Sequence, residues 1–350
     1  MTNDSSSFDP LMLQEVRQTP QILERIWQGS KNMDALVNAL ERRPPRFMMT
    51  VARGSSDHAA SFLKYAFEIG LGLPVGSAAP SLTSVYRRPL ALEGVLVLAI
   101  SQSGASPDVV ESLEFARASG AITVALVNKT DSPLAQAAEF VLPLQAGEEK
   151  AVAATKSYLS SLFVGLCLVA RLHRDAALNA ALERLPQVLS QTLALESLAR
   201  EKAERYRYAC SLTVLGRGLH YGVALEAALK LRETSGIQAD AYSSAEFSHG
   251  PMRVVEAGYP ILALQSRDEA EPFSLEAYRA LEARGAEMLL FGADAELNAA
   301  VRLITPSSGH RFTDPLATIT AVYLFAGHLA LAKGLNPDAP PSLSKVTLTH

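Results

Sequence analysis

Short apolar runs alternate with longer amphipathic stretches along most of the chain. In the first half, the runs typical of buried strands are Phe47–Val51, Val95–Ile100, Ile122–Val127 and Phe140–Leu144. Helical periodicity fills the intervals, for instance over His58–Ile69 and Ser106–Ala118, and Gly120 supplies a C-terminal stop. This alternation predicts an α/β fold built on a doubly wound parallel sheet.

The same alternation recurs in the second half. Strands are predicted there at Leu212–Leu215, Pro260–Leu264, Met288–Phe291 and Val301–Thr305. Landmarks repeat at a nearly constant offset, since Gly54 and Gly218 are 164 residues apart and Pro143 and Pro306 are 163 apart. A duplicated domain is therefore predicted.

The predicted architecture is two tandem flavodoxin-like domains, residues 44–175 and 200–335. N-terminal helices precede them in residues 1–43, with Pro20 in an N-terminal turn. Ala151–Arg174 and Ala176–Arg207 are predicted to be helical, with Pro186 interrupting the second. The tail, residues 336–350, contains three prolines and is predicted to be extended and to lie over the active site.

Composition excludes several classes of partner. The chain has 350 residues, of which 48% are hydrophobic and 19% charged, as in a folded globular protein. A net charge of −4 without a basic stripe argues against nucleic acid or a membrane surface as partner. With no signal peptide, and with apolar stretches short of the about 20 residues that a membrane span needs, a soluble cytoplasmic protein is predicted. Cys167 and Cys210 are expected to be buried free thiols.

Two loops that follow predicted strands carry candidate ligand-binding residues. Ser101-Gln102-Ser103-Gly-Ala-Ser106 comes directly after a strand and before a helix, where backbone N–H groups and hydroxyls can cradle a phosphate. A helix-capping role for the serines is the alternative. The loop Arg53-Gly-Ser55-Ser-Asp-His58 is predicted at the same sheet edge. Arg53 could contact phosphate or pair with a carboxylate, and His58 is interpreted as a helix-start residue.

Three charged residues of the second half fall on one face of a predicted helix. Glu226, Lys230 and Glu233 are spaced by four and three residues, among apolar neighbours. A solvated salt-bridge face is the alternative, but a partly buried carboxylate beside a lysine can move protons. His249 lies in a Gly-Pro turn, where functional histidines are common. The spacing of Gly216-Arg-Gly-Leu-His-Tyr-Gly222 does not fit a dinucleotide loop, and no P-loop or zinc-ligand spacing occurs, so no cofactor or metal is expected.

Taken together, these motifs resemble the sugar-isomerase (SIS) domain family, and within it the isomerase half of glutamine–fructose-6-phosphate aminotransferases. The likeness runs from about Leu11 to the tail. It includes the Ser-Gln-Ser-Gly loop, Val152-Ala-Ala-Thr-Lys156, Ala224-Leu-Glu-Ala-Ala-Leu-Lys230, Ser248-His-Gly-Pro251 and Leu343-Ser-Lys345-Val-Thr. Two departures stand out. The family's serine before Thr-Lys is Ala154 here, and its Cys-Gly-Thr-Ser loop is Arg53-Gly-Ser-Ser.

The resemblance implies a role for each matching residue. Glu233 matches the base that carries a proton between C1 and C2, with Glu226 and Lys230 as supporting neighbours, and Lys345 matches a lysine that reaches the open-chain sugar. His249 matches the ring-opening histidine, which in the family comes from the other subunit, so a homodimer is implied. Ligand-contacting positions are implied at Ser55, Ser101, Gln102, Ser103, Ser106, Arg53 and Ala153.

The hypothesis drawn from this likeness is deamination of glucosamine 6-phosphate to fructose 6-phosphate and ammonia, without a metal. Met1 leads almost directly into the isomerase part, so no glutaminase domain is expected, and residues 53–58 look like those of glucosamine-6-phosphate deaminases of this fold. Alternatives are aldose–ketose isomerisation, galactosamine-6-phosphate deamination, removal of an amino acid from a fructosamine phosphate, and a non-catalytic sugar-phosphate sensor.

Overall fold

Two five-stranded parallel sheets form the centre of the molecule. The structure, a computed structural model, describes residues 8–29, 33–88 and 90–345. The first sheet has the order β2-β1-β3-β4-β5 and the second β7-β6-β8-β9-β10, which is the same doubly wound order. The strands of the two sheets are β1 (Phe47–Val51), β2 (Val75–Ser77), β3 (Val95–Ser101), β4 (Ile122–Val127), β5 (Phe140–Pro143), β6 (Ser211–Gly216), β7 (Gln238–Ser243), β8 (Pro260–Gln265), β9 (Glu287–Gly292) and β10 (Ala299–Ile304).

Helices cover both faces of each sheet and form the N-terminal segment. They are α1 (Leu11–Arg17), α2 (Thr19–Gly29), α3 (Asp34–Arg42), α4 (Ser55–Leu71), α5 (Ser81–Ser84), α6 (Pro107–Ala118), α7 (Pro133–Ala137), α8 (Lys156–His173), α9 (Ala176–Leu193), α10 (Glu196–Ala203), α11 (Leu219–Ser235), α12 (Ser244–Phe247), α13 (Glu271–Ala283) and α14 (Asp314–Ala332). Short 3₁₀ turns occur at Glu204–Tyr206 and Pro251–Val254. The predicted α/β fold of two tandem doubly wound sheets is confirmed.

All eight predicted strands are present, and two further strands were not predicted. Strand β2 has three residues, and β7 is exposed or half-buried at most of its positions. Each of these strands lies at an edge of the order 2-1-3-4-5 and pairs on one side. Edge strands are less buried than central ones, and β2 and β7, unlike the edge strands β5 and β10, also lack the apolar run from which the other strands were predicted.

Three predictions about the helices and cysteines were wrong in detail. Residues 151–155 form a loop, and α8 begins only at Lys156. Pro186 lies inside α9, which continues to Leu193, because the helix is held by an apolar face that is buried on both sides of the proline. Cys210 is exposed, whereas Cys167 is buried, and both are free thiols.

Helix α14 is long and strongly apolar. It has 19 residues and contains an 18-residue window with a mean hydropathy of 1.5, so in length and composition it could span a membrane, and the prediction that no apolar stretch reaches this length was wrong. Within the fold, 89% of its apolar window is buried, as in the core helix of a globular protein. It packs against α1, α9, α10 and α11.

The two halves meet where α4 packs against α11. A Cβ atom at Gly222 of α11 would lie 2.6 Å from the backbone nitrogen of Phe62 in α4, so only glycine permits this approach. The two helices are equivalent in length, and each follows a glycine in the same left-handed conformation, with φ of 56° at Gly54 and 58° at Gly218. Close packing of α4 on α11 brings residues of both halves to one site.

Candidate active site

A cavity of about 250 Å³ lies at the carboxyl ends of β1 and β3. Residues of the first half form most of its wall, α11 contributes two charged side chains, and the tail closes one side. The lining residues are Arg53, Gly54, Ser55, Ser56, Ser101, Gln102, Ser103, Ser106, Val152, Ala154, Ser157, Tyr158, Lys230, Glu233, Leu343, Ser344 and Lys345. This position, outside the carboxyl ends of parallel strands, is where open α/β sheets bind ligands.

First-turn residues of three helices line this cavity or flank it. Helix α4 begins at Ser55, α6 begins at Pro107 directly after Ser106, and α8 presents Ser157 and Tyr158. The N-terminus of a helix carries unpaired N–H groups and the positive end of the helix dipole. Three such ends, together with serine hydroxyls, suit a dianion such as a phosphate ester.

The serine loop after β3 is held in shape by its own hydrogen bonds. The Gly104 N–H donates to Ser101 Oγ at 2.9 Å, and the Ala105 N–H donates to Ser103 Oγ at 3.3 Å. Gly104 has φ of 64°, and a Cβ atom there would lie 2.1 Å from Ser132 Oγ. Glycine is therefore required at this position, both by backbone conformation and by space.

At the floor of the cavity, Lys230 is held between two carboxylates. Its Nζ donates to Glu233 Oε2, lies 3.5 Å from Glu226 Oε1, and donates to Ser55 Oγ at 3.1 Å. The side chains of Glu226 and Lys230 are 0% and 1% exposed, whereas that of Glu233 is 21% exposed. Of the two carboxylates, only Glu233 lines the cavity and can reach a ligand.

These contacts determine the charge of Lys230. Burial alone would lower the pKa of Lys230, but the nearby Glu226 and Glu233 carboxylates outweigh it and raise the pKa. Lys230 therefore stays an ammonium ion at neutral pH. A fixed positive charge beside Glu233 leaves the carboxylate as the group that can accept a proton, and the ammonium can stabilise negative charge on a bound intermediate.

The tail is tied to the rest of the site by ion pairs and hydrogen bonds. Lys345 Nζ donates to Glu149 Oε2 at 2.9 Å and to the Ala151 carbonyl at 2.8 Å. Burial would raise the pKa of Glu149, but Lys345 and hydrogen bonds from Thr155 and Ser157 outweigh it and lower the pKa. The Asp338 carboxylate accepts hydrogen bonds of 2.8 Å from the Leu11 and Met12 N–H groups, which anchors the tail on α1.

Most of the predicted site residues come together in this cavity, but not all. The exceptions are Glu226, which lies behind Lys230, and Ala153 and His249. Ala153 is fully buried and is not among the lining residues, where its neighbours Val152 and Ala154 stand instead. His249 is exposed and outside the cavity, so within one chain it does not reach Glu233. Its contribution from a second subunit remains a prediction.

Arg53 both lines the cavity and pairs with a carboxylate. Its Nε and Nη2 atoms lie 2.8 Å and 2.7 Å from Oδ2 of the buried Asp108. The Arg53 side chain remains 51% exposed. Both of the roles considered for Arg53 are thus open to it, because the ion pair uses only part of the guanidinium.

Several residues of the site were missed in the sequence. Ser56, Ser157 and Tyr158 line the cavity, Glu149 holds Lys345, and His58 contacts Glu226, although His58 had been interpreted only as a helix-start residue. Ser56 adjoins a predicted site residue and could have been included on that ground. Among the described residues, no group of three or more histidine, cysteine, aspartate or glutamate side chains could hold a metal ion.

Comparison with known proteins shows the family to which this fold belongs. The sequence profile of the SIS domain family matches residues 44–171 and 206–328. The chain therefore belongs to the SIS domain family, and its homologues include the isomerase half of glutamine–fructose-6-phosphate aminotransferases. That enzyme of Symbiobacterium thermophilum is 34% identical over 98% of this chain, and that of Thermotoga maritima is 30% identical over 98%. The chain spans 59% of the length of both relatives.

Solved structures give the same class. A Silicibacter pomeroyi protein provisionally described as a phosphosugar isomerase is 39% identical, with a TM-score of 0.88 over 94% of this chain and 100% of its own. The C-terminal domain of the Francisella tularensis glucosamine–fructose-6-phosphate aminotransferase is 26% identical, with a TM-score of 0.88 over 96% of this chain and 99% of its own. The Thermotoga maritima glucosamine-6-phosphate deaminase, 20% identical, shares the fold with a TM-score of 0.76 over 97% of this chain and all of its own. The chain is thus related to phosphosugar isomerases.

Proposed function

We propose that this protein deaminates glucosamine 6-phosphate to fructose 6-phosphate and ammonia, by a proton transfer between C2 and C1. The observation that carries the proposal is the Glu233 carboxylate, paired with the ammonium of Lys230, at the floor of a serine-lined cavity. Ser101, Gln102, Ser103, Ser106 and Ser55 would hold the phosphate. Because the phosphate is remote from the reacting carbons, its binding energy can position C1 and C2 against Glu233.

The proposed steps balance without an external oxidant or reductant. In the open-chain aldehyde, Glu233 removes the C2 proton, the electron pair forms a C1–C2 double bond, and the C1 oxygen takes up a proton from water, which gives an enaminol. Glu233 returns the C2 proton to C1, which becomes a hydroxymethyl group, while the amine loses a proton to water and C2 becomes an imine. Water then adds to C2 and ammonia leaves, yielding the ketose phosphate. Lys230 offsets negative charge that develops on the substrate during the transfer.

Three further parts of the proposal rest on the family resemblance. His249 of a second subunit would assist ring opening, and Lys345 would reach the open-chain sugar. The first half, residues 44–175, would bind the phosphate while residues 200–335 supply the proton-transfer groups. The choice of an amino sugar over a neutral sugar phosphate is supported by residues 53–58, which resemble those of glucosamine-6-phosphate deaminases.

The test is an assay with glucosamine 6-phosphate, without glutamine, in which ammonia and fructose 6-phosphate are both measured. The proposal predicts equal amounts of the two products, and in D₂O the ketose should acquire deuterium at C1. Glu233→Gln should reduce turnover at least about a thousandfold while leaving sugar-phosphate binding nearly intact. The matched control is Glu276→Gln, which alters an exposed carboxylate on α13 and should leave turnover unchanged.

Other outcomes of the assay would point elsewhere. Ketose formation from glucose 6-phosphate without ammonia release would indicate a simple isomerase. Release of ammonia from galactosamine 6-phosphate, or of an amino acid from a fructosamine phosphate, in preference to release of ammonia from glucosamine 6-phosphate would indicate that the preferred compound is the substrate. Binding of these sugars without consumption would indicate a sensor, and near-normal turnover in Glu233→Gln would refute the proton-transfer role.

A further inference from the structure

His58 joins the first half of the chain to the charged residues of α11. Its Nδ1 atom lies 3.0 Å from Oε2 of Glu226, across the packed interface between α4 and α11. The His58 side chain is 16% exposed and Glu226 is fully buried. Because a carboxylate only accepts hydrogen bonds, Nδ1 carries the hydrogen in this contact.

The two oxygens of Glu226 have separate partners. Oε2 accepts from His58, whereas Oε1 accepts from the Tyr323 hydroxyl at 3.1 Å and lies 3.5 Å from Lys230 Nζ. Burial, followed by the charge of Glu226, raises the pKa of Tyr323 well above its usual value, so Tyr323 stays a neutral donor. His58 and Lys230 therefore contact different oxygens of Glu226 and do not compete for the same one.

A buried carboxylate that loses one hydrogen-bond partner is less well compensated, so it attracts its remaining partners more strongly. Without His58, Glu226 would keep Tyr323 and Lys230, and the ammonium, at the end of a flexible side chain, is the group that can move towards it. Ser55 and Glu233 line the cavity and Glu226 does not, so a movement of Lys230 Nζ towards Glu226 would take it away from Glu233 and from Ser55. The position of the ammonium beside the proton-transferring carboxylate thus depends on His58.

We propose that His58 is a positioning residue for proton transfer, which through Glu226 keeps Lys230 in contact with Glu233 and Ser55. This inference rests on the proposed function of Glu233 and Lys230 and adds a residue to it. His58 is not among the residues that line the cavity, so it acts without contacting the sugar phosphate. Its loss should lower kcat and leave KM nearly unchanged.

Two substitutions test the contact itself. In His58→Asn the side-chain amide nitrogen occupies nearly the place of Nδ1 and can still donate to Glu226, whereas in His58→Gln the amide lies farther out. We expect His58→Gln to lower kcat about tenfold or more, with KM within about threefold, since hydrogen bonds to charged groups have effects of this size. His58→Asn should retain kcat within about threefold of the unmodified protein.

A second histidine provides the matched control. His220, in the first turn of α11, is also buried, and its Nε2 lies 3.3 Å from Thr318 Oγ1, outside the Glu226 cluster. His220→Asn should change the unfolding midpoint while leaving kcat within about twofold. Equal losses of kcat in His58→Asn and His58→Gln, or no loss in either, would overturn the positioning role.

A structural measurement separates this inference from the proposed function. A crystal structure of His58→Gln should show Lys230 Nζ nearer to Glu226 and no longer within hydrogen-bond distance of Ser55 Oγ. If the unmodified protein converts no sugar phosphate, the proposed function fails, while this displacement still tests the inference. If Lys230 keeps its present contacts in His58→Gln, the inference is wrong whatever the substrate.

Discussion

Replacing Gly222 by alanine should separate the two halves of the active site. The added Cβ atom would lie 2.6 Å from the backbone nitrogen and 2.8 Å from the Cα atom of Phe62. Ordinary contacts begin near 3.4 Å, so α4 and α11 would have to move apart by about 0.8 Å at this point. No side-chain rotation can relieve the clash, because both nearest atoms belong to the α4 backbone.

The magnitude follows from two opposing terms. Overpacking in a well-packed interior costs about 1–3 kcal/mol, and a backbone clash belongs at the upper end of that range. Alanine is favoured over glycine in a helix interior by about 1 kcal/mol. The free energy of unfolding should therefore fall by about 2 kcal/mol. A displacement approaching 1 Å in an active site can cost about a hundredfold in rate, so kcat should fall between about ten- and a hundredfold.

Urea unfolding and steady-state kinetics on the same preparations measure both effects. Gly70→Ala is the matched control, since Gly70 is inside a helix, α4, as Gly222 is inside α11, but its Cβ atom would meet a side chain, Val169 Cγ1 at 2.8 Å, far from Ser55. That variant should lose stability and keep its kcat. A Gly222→Ala protein as stable and as active as the unmodified one would refute the close-packing argument.

Two further predictions concern buried carboxylates. Burial would raise the pKa of Glu196, but hydrogen bonds with His328 and Arg17 outweigh it and lower the pKa from 4.5 to about 2. A lowered pKa stabilises the fold at pH values above the pKa of the unfolded chain. Glu196→Gln should therefore be less stable than the unmodified protein by about 1–3 kcal/mol at pH 7, after allowing for partial exposure, and this difference should shrink as the pH falls from 4.5 towards 2. Urea unfolding at pH 7, 4 and 3 measures the difference, and a difference that does not change with pH contradicts the prediction. Glu149→Gln removes the anionic partner of Lys345, so amide hydrogen exchange in residues 342–345 should accelerate while that of β3 does not, and unchanged exchange in the tail would count against the Glu149–Lys345 contact.

Much of the fold was predictable because it depends on local pattern. Central strands are buried on both faces, so Ile122–Val127 and Val95–Ile100 appear as continuous apolar runs. The edge strands β2 and β7 lack that signal. The serine loop was predictable for a related reason, since a strand, a polar loop and a helix start follow one another directly in the sequence.

The contacts that complete the site could not be predicted in this way. His58 and Glu226 are 168 residues apart, Glu149 and Lys345 are 196 apart, and Leu11 and Asp338 are 327 apart. No periodicity links such residues, because the pairs form only when segments far apart in the sequence pack together. Glu149 in particular lies in a loop just before residues 151–155, and its neighbours in the sequence give no sign that it is buried.

The structure also explains why, within the described residues, the proposed phosphate cradle lies at only one of two sheets that share one strand order. At the carboxyl edge of the second sheet, Arg267 occupies the equivalent loop and donates to the Thr305 carbonyl at 2.5 Å, with Asp314 3.7 Å away. The arginine thus satisfies strand-end carbonyls of its own sheet instead of leaving a helix start open to a ligand. The second half contributes to the cavity through helix α11 instead, whose Lys230 and Glu233 side chains lie beside residues of the first half. Because Gly222 lets α11 approach α4 so closely, these charges reach the proposed phosphate-binding cavity, which the second sheet does not itself build.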